Sequence, residues 1–220
     1  MTTIIKTFLL LGTLFCVAES ACKEGKLTEF EQAVLDAHNQ LRANHEGTKD
    51  LCYAVSGDDV TFISQQWANS MAQEKKMHHS SGDYGENLAY AASSGERPGQ
   101  KESYIRASKS WYGEIKDWNF KESKKRGTGV TGHFTQLVWK ETQQVNCAYS
   151  EYMKGELNAY YVVCQYFPRG NFGGEADFAE NVGQIAAGAD LSEYEIGGGS
   201  AIFGKMIIVL VTVSALFFTF

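Results

Sequence analysis

Residues 145–166 read VNCAYSEYMKGELNAYYVVCQY, and this stretch decides the fold. Val145 to Tyr149 and Tyr160 to Tyr166 are rich in β-branched and aromatic residues and flank a turn near Lys154-Gly155-Glu156, which is the pattern of an antiparallel hairpin. Opposed positions in such a pair have a constant index sum. A turn centred between Gly155 and Glu156 therefore sets Cys147 directly across from Cys164. Where a pair is not bridged by ladder hydrogen bonds, the two Cβ atoms approach closely enough for a disulfide. The hairpin thus predicts a Cys147–Cys164 bond.

The other cysteines follow from the N-terminal segment. Residues 1–20 carry Lys6, an apolar run from Phe8 to Val17, and small residues at Ala18 and Ser20. That is the order of a secretory signal peptide, with a run too short to span a bilayer. Cleavage after Ala18 or after Ser20 satisfies the small-residue rule. Its removal takes Cys16 away and leaves Cys22, Cys52, Cys147 and Cys164, an even set that allows three connectivities in an exported chain. With Cys147 and Cys164 joined, Cys22–Cys52 follows by elimination. Zinc ligation is the alternative, but no close cysteine pair supports it.

The C-terminal end reads as an attachment signal. Gly197-Gly198-Gly199-Ser200 supplies small residues, a short segment through Lys205 follows, and Met206 to Phe220 is uncharged and predominantly apolar to the last residue. This is the layout of a glycosylphosphatidylinositol signal. A tail-anchored helix competes with it, but the apolar stretch is short for a span and no basic residue follows it. The expected organisation is a signal peptide over 1–20, a domain over 21–185, a Gly-rich linker and attachment region over 186–200, and a hydrophobic tail over 201–220. The expected location is the secretory pathway and then the extracellular space or cell surface, with the membrane reached through the anchor.

Within the domain, Thr28-x-x-Glu31 is a capping box, and Phe30, Val34, Ala37 and Leu41 follow at helical spacing. A second helix is expected after Asp58-Asp59, with Val60, Ile63, Trp67 and Met71 on its apolar face. A third is expected from about Lys101 to Asp117, with Tyr104, Ser108, Trp111 and Ile115 on one stripe. Ser80 to Gly99 reads as a Gly/Ser-rich loop interrupted by an ordered Gly85-Glu86-Asn87-Leu88-Ala89. Residues 119–132 read as another loop, and Phe134 to Thr142 fits a short helix or a strand equally. Beyond Pro168 the chain reads as a strap closing over the domain. A chain of 220 residues with net charge −6 is one domain without the basic stripe of a nucleic-acid binder. Lys124-Lys125-Arg126 is a local exception, read as a solvated loop.

Four segments, in order, resemble the CAP family of cysteine-rich secretory, antigen 5 and pathogenesis-related proteins. They are His38-Asn39-Gln40-Leu41-Arg42, Gly85-Glu86-Asn87-Leu88, Gly132-His133-Phe134-Thr135-Gln136-Leu137-Val138-Trp139, and the run from Tyr160 to Asn171. The resemblance spans about Leu27 to Asn181. Trp111-Tyr112-Gly113-Glu114-Ile115 and Trp118-Asn119-Phe120 look most like the Golgi-associated branch, from which the signal peptide, cysteines and C-terminal tail depart. The resemblance implies an α+β fold, an α-β-α sandwich with a central antiparallel sheet between helical layers. It also implies a cleft lined by His79, Glu86, Glu114 and His133, with His78 competing for the place of His79.

Two imidazoles and two carboxylates allow three kinds of work. The histidines His79 and His133 can bind a divalent metal such as Zn²⁺ weakly, with the carboxylates as ligands or as groups fixing the tautomer. A carboxylate–imidazole pair can activate a hydroxyl or a water. The four can also form a polar network that only fixes the cleft walls. A hydrolase or protease would need a nucleophile, and Ser80 and Ser81 come without a nucleophile-elbow pattern. The protein is therefore read as a non-enzymatic binding module more readily than as an enzyme. The resemblance implies a sterol or fatty-acid ligand, which Trp111, Tyr112, Trp118 and Phe120 beside a loop could cover. An extracellular or cell-surface protein partner is the other expectation. His38, between stripe positions of the first helix, is read as a core histidine with a backbone partner, and Trp67 and Trp111 as core anchors.

Overall fold

The computed structural model describes residues 22–55, 62–96 and 98–194. The expected signal peptide, Val60, the Gly197–Ser200 attachment site and the apolar tail lie outside those residues. Helix α1 (Glu29–Arg42) starts at the expected capping box. Thr28 Oγ1 accepts from the Glu31 amide at 3.2 Å, and Glu31 accepts from the Thr28 amide at 2.7 Å. At its far end Arg42 is buried, with the Asp50 carboxylate close enough to act on its charge but not hydrogen-bonded to it. Instead its guanidinium donates to the carbonyls of Lys49, Leu137, Trp139 and Thr142 at 2.8–3.3 Å. Burial pushes its pKa down to about 10.

The sheet joins β1 (Cys52–Tyr53), β2 (Gly85–Ser93), β5 (Gln144–Lys154) and β6 (Leu157–Phe167) in the order β1-β5-β6-β2. The β5–β6 hairpin has the register expected from its turn, running from Lys154↔Leu157 to Gln144↔Phe167. Cys147 faces Cys164 at a Cα separation of 4.1 Å, the narrow spacing of a pair without ladder bonds. Both expected disulfides form, Cys147–Cys164 and Cys22–Cys52. The first closes a loop of 17 residues, worth about 3 kcal/mol of denatured-state entropy in the loop-closure account.

The sheet is mixed, not wholly antiparallel as the family resemblance implied. β1 runs parallel to β5 because it enters the edge from the α1 connection, not through a hairpin. The segment Gly85–Ala89, expected as an ordered interruption of a loop, is the start of the nine-residue strand β2. Its alternation was hidden because Leu88, Ala89 and Tyr90 are all buried, as in a strand covered on both faces.

Helix α2 (Ser64–Glu74) covers one face of the sheet and α1, α3 (Gln100–Tyr112) and α4 (Gly132–Val138) the other. Along β6, Tyr161 and Val163 meet Ala68 and Met71 of α2, while Val162, Cys164 and Tyr166 join the cluster of Val34, Tyr104 and Leu137. This two-residue alternation makes the layers, and each fully buried Val, Leu or Met contributes roughly 1.5–3 kcal/mol. Trp111 is buried as expected, whereas Trp67 is only partly buried at the rim of the α2 layer. The stripe Tyr104, Ser108, Trp111 and Ile115 is buried, but regular α-helix stops at Tyr112 and tightens into a 3-10 turn over Gly113–Asp117.

Residues 119–132 are less irregular than expected. A small hairpin pairs β3 (Trp118–Asn119) with β4 (Lys124–Lys125). After α5 (Glu175–Asn181) the chain forms the expected strap, with Glu46 N bonding Gln184 O and Ala186 N bonding Asn44 O, each at 2.8 Å. His45 is buried beneath it, its ring between Gly183 O at 3.0 Å and the Tyr112 hydroxyl at 2.8 Å. Burial lowers its pKa to about 4.

Candidate functional site

The cleft opens where the start of β2 meets the start of α4. Gly85 makes that approach possible, since a Cβ there would run into the Gln136 side-chain amide. The next residue, Glu86, is paired across the sheet with Gln165, whose Nε2 donates to its carboxylate at 3.0 Å. Glu86 Oε1 also faces His79 Nδ1 at 2.8 Å and accepts the Ser80 amide at 3.0 Å. Burial alone would raise the Glu86 pKa. The hydrogen bonds from His79, Gln165 and Ser80 outweigh it and hold the carboxyl below its usual value.

A second pair is built in the same way. Glu114 comes from the 3-10 turn after α3, and its Oε1 faces His133 Nδ1 at 2.7 Å. Its Oε2 accepts the amides of His133 and Phe134 at 2.9 and 3.2 Å. Thr131 gives α4 no side-chain cap, so Glu114 caps that helix from outside as well as holding the imidazole. The indole of Trp111 lies nearly parallel to the His133 ring, 6.2 Å away.

Asn87 ties the two pairs together. Its side chain points to the opposite face from Glu86 and donates to His133 O at 3.0 Å and to the Tyr166 hydroxyl at 3.2 Å. That hydroxyl meets His38 Nε2 at 2.9 Å, and His38 Nδ1 meets Val34 O at 3.0 Å. Tyr104 also contacts the His38 ring. His38 is thus a core histidine with a backbone partner, and burial pushes its pKa to about 3. Sequence reasoning gave no role to Asn87 or Gln165, although both lie within quoted motifs. Their partners are distant in sequence, and no local spacing announces them.

His79, Glu86 and His133 line one cavity of about 380 Å³, with Lys125, Val130 and Phe178 on its other walls. His78, the competitor, instead pairs with Glu74 at 2.9 Å and packs edge-on against Trp67. Because each Nδ1 is turned to a carboxylate, each imidazole is set to carry its proton there and leave Nε2 as the lone-pair nitrogen. Two such donors suit a divalent metal. Among the described residues, no three His, Cys, Asp or Glu side chains gather around one position. Ser80 Oγ bonds the Glu86 carboxylate and the Tyr84 hydroxyl. Its hydroxyl is therefore placed against a carboxylate and not against an imidazole base.

The aromatic passage expected to cover a lipid is core. Trp111, Tyr112 and Trp118 are buried, and Phe120 packs on His45 and Phe134.

The model of the cysteine-rich secretory protein family matches residues 35–166. Pathogenesis-related protein 1A of Nicotiana tabacum is 32% identical over 79% of this chain and 95% of its own length. Secreted protein RBT4 of Candida albicans is 36% identical over 71% of this chain and 41% of its own. Among solved structures, BmVAL-1 superposes with a TM-score of 0.51 at 19% identity, over 69% of this chain and 82% of its own. That last likeness concerns the fold.

Proposed function

The chain belongs to the cysteine-rich secretory protein (CAP) family, and from that membership we propose that its cleft is a non-enzymatic binding site for a divalent cation. The protein is secreted: its two disulfides fit an oxidising compartment, and its relatives are secretory. The two carboxylate–imidazole pairs carry the reading. Glu86 and Glu114 fix the tautomers of His79 and His133, the arrangement that orients metal-binding imidazoles. A bound Zn²⁺ would supply a positive, Lewis-acidic anchor for a ligand entering the cleft. With two protein ligands, the affinity is weak. Hydrolysis is the poorer account, because Ser80 is engaged by Glu86. An extracellular protein partner, and the likeness of Trp111–Ile115 to the Golgi-associated branch, belong to the same proposal.

Native mass spectrometry of the secreted protein tests this. We expect a zinc mass excess that chelator removes and that His79→Ala and His133→Ala both lack. A bare mass in micromolar zinc would defeat the reading.

One observation favours lipid uptake as a second reading. A groove of about 370 Å³ runs between α1 and α3, with Ala33, Ala37, Leu41 and Ile105 in its lining. An Ala37→Trp variant should lose saturable loading of a labelled fatty acid or sterol, and unchanged loading would remove the groove from consideration.

A further inference from the structure

The basic run singled out in the sequence has a place in the cleft. Residues 116–126 hold Lys116, Lys121, Lys124, Lys125 and Arg126 against only Asp117 and Glu122, in a chain whose net charge is −6. The β3–β4 hairpin folds this segment onto the cleft rim, and Lys125 lines the cavity that contains His79 and His133. Lys124, by contrast, is tied to Glu122 at 3.1 Å. Among the described residues lining the cavity, Lys125 is the one lysine or arginine. The wall beside it includes Val130 and Phe178, so charge and apolar surface meet within a space of about 380 Å³.

We infer that the cleft takes a small organic anion, a carboxylate or phosphate monoester with a short apolar body. Lys125 is its specificity-determining residue. The anionic oxygens are drawn to the Lys125 ammonium and, where a cation sits on the two imidazoles, to that cation as well. The apolar body lies along Val130 and Phe178. Glu86 and Glu114 keep their charge, but their oxygens are turned to His79, Ser80, Gln165, His133 and Phe134 and not to Lys125, so the Lys125 ammonium is left to meet an anion. A ligand ammonium accumulates least well beside such a rim, since an excess of one charge sign in a cleft concentrates the opposite ion. The inference deepens the metal-site reading but does not need the metal.

The test is calorimetric titration of the secreted protein with hexanoate, hexyl phosphate and acetate, once zinc-saturated and once chelated. Both six-carbon anions should bind, hexanoate more tightly than acetate, and the tighter of the two names the headgroup. Lys125→Gln should weaken binding about tenfold, as expected for loss of a charge-assisted contact, and Lys125→Glu more. Lys124→Gln should change it by less than about twofold, because its charge is already balanced. If zinc fails to bind the unsubstituted protein, the metal-site reading falls, and the chelated arm alone decides the inference. Lys125-dependent binding there sustains it. No saturable binding in either arm, or an equal effect of the Lys124 and Lys125 substitutions, overturns it.

Discussion

Glu114→Gln separates the two tasks of one carboxylate. In the structure Oε2 alone accepts both α4 amides, from His133 and Phe134, while Oε1 alone faces His133 Nδ1. The glutamine carbonyl can take the place of Oε2 and keep both amide bonds. Its NH₂ then stands where Oε1 stood, 2.7 Å from His133 Nδ1. Two donors cannot share that contact, so His133 must move its proton to Nε2 and present Nδ1 as an acceptor. The lone pair that faced the cleft is thereby lost. The cap survives without its charge, which costs about 1 kcal/mol. Zinc affinity should fall 10–100-fold, the usual effect of losing a carboxylate behind a ligating histidine, or about 1.4–2.7 kcal/mol. Glu114→Ala removes the cap as well and should cost about 1–2 kcal/mol of stability. Long-range ¹⁵N–¹H NMR reads the tautomer, calorimetry the zinc and urea unfolding the stability. A Glu114→Gln protein that keeps its His133 proton on Nδ1 and binds zinc as before would refute the reasoning.

Stability should depend on acid through the core as well as the cleft. His38 and His45 have folded pKa values near 3 and 4, below the ordinary 6.5, so the unfolded chain binds more protons between these limits. Their contribution is complete above about pH 6.5 and is lost as pH falls toward the folded values, with a slope of up to about 1.4 kcal/mol per pH unit for each histidine. The depressed Glu86 carboxyl adds a further loss only below its ordinary value of 4.5. Urea midpoints at pH 7, 6 and 5 should therefore decline, and His45→Gln should flatten the decline; a constant midpoint contradicts this. Gly85→Ala should push β2 away from the Gln136 amide, costing about 1–3 kcal/mol as overpacking does, and should draw Glu86 off His79. Thermal unfolding and zinc titration check both effects together, and wild-type values in the two would show that the close approach at Gly85 is not needed.

The sequence by itself determined the parts of this protein governed by local index rules. The β5–β6 register, and with it Cys147–Cys164, follows from the position of one turn, because the pairing of an antiparallel hairpin is a sum. The α1 capping box and the stripe Tyr104–Ile115 follow from helical spacing. The family resemblance named four candidate cleft residues, of which His79, Glu86 and His133 line the cavity, yet not how they are joined. Glu114 and His133 are nineteen positions apart, and only the packing of the 3-10 turn on α4 makes that carboxylate both cap and imidazole partner. The choice of His79 over His78 was likewise decided by the fold, through the strand that carries Glu86. β2 itself was obscured because burial on both faces erases the polar alternation by which a strand is recognised. Lys125 is exposed, as its reading as a solvated residue implied, but nothing local indicates that its hairpin borders the cavity. In each of these cases the deciding energy comes from contacts between elements far apart in the chain, and periodicity within one element carries no information about such contacts.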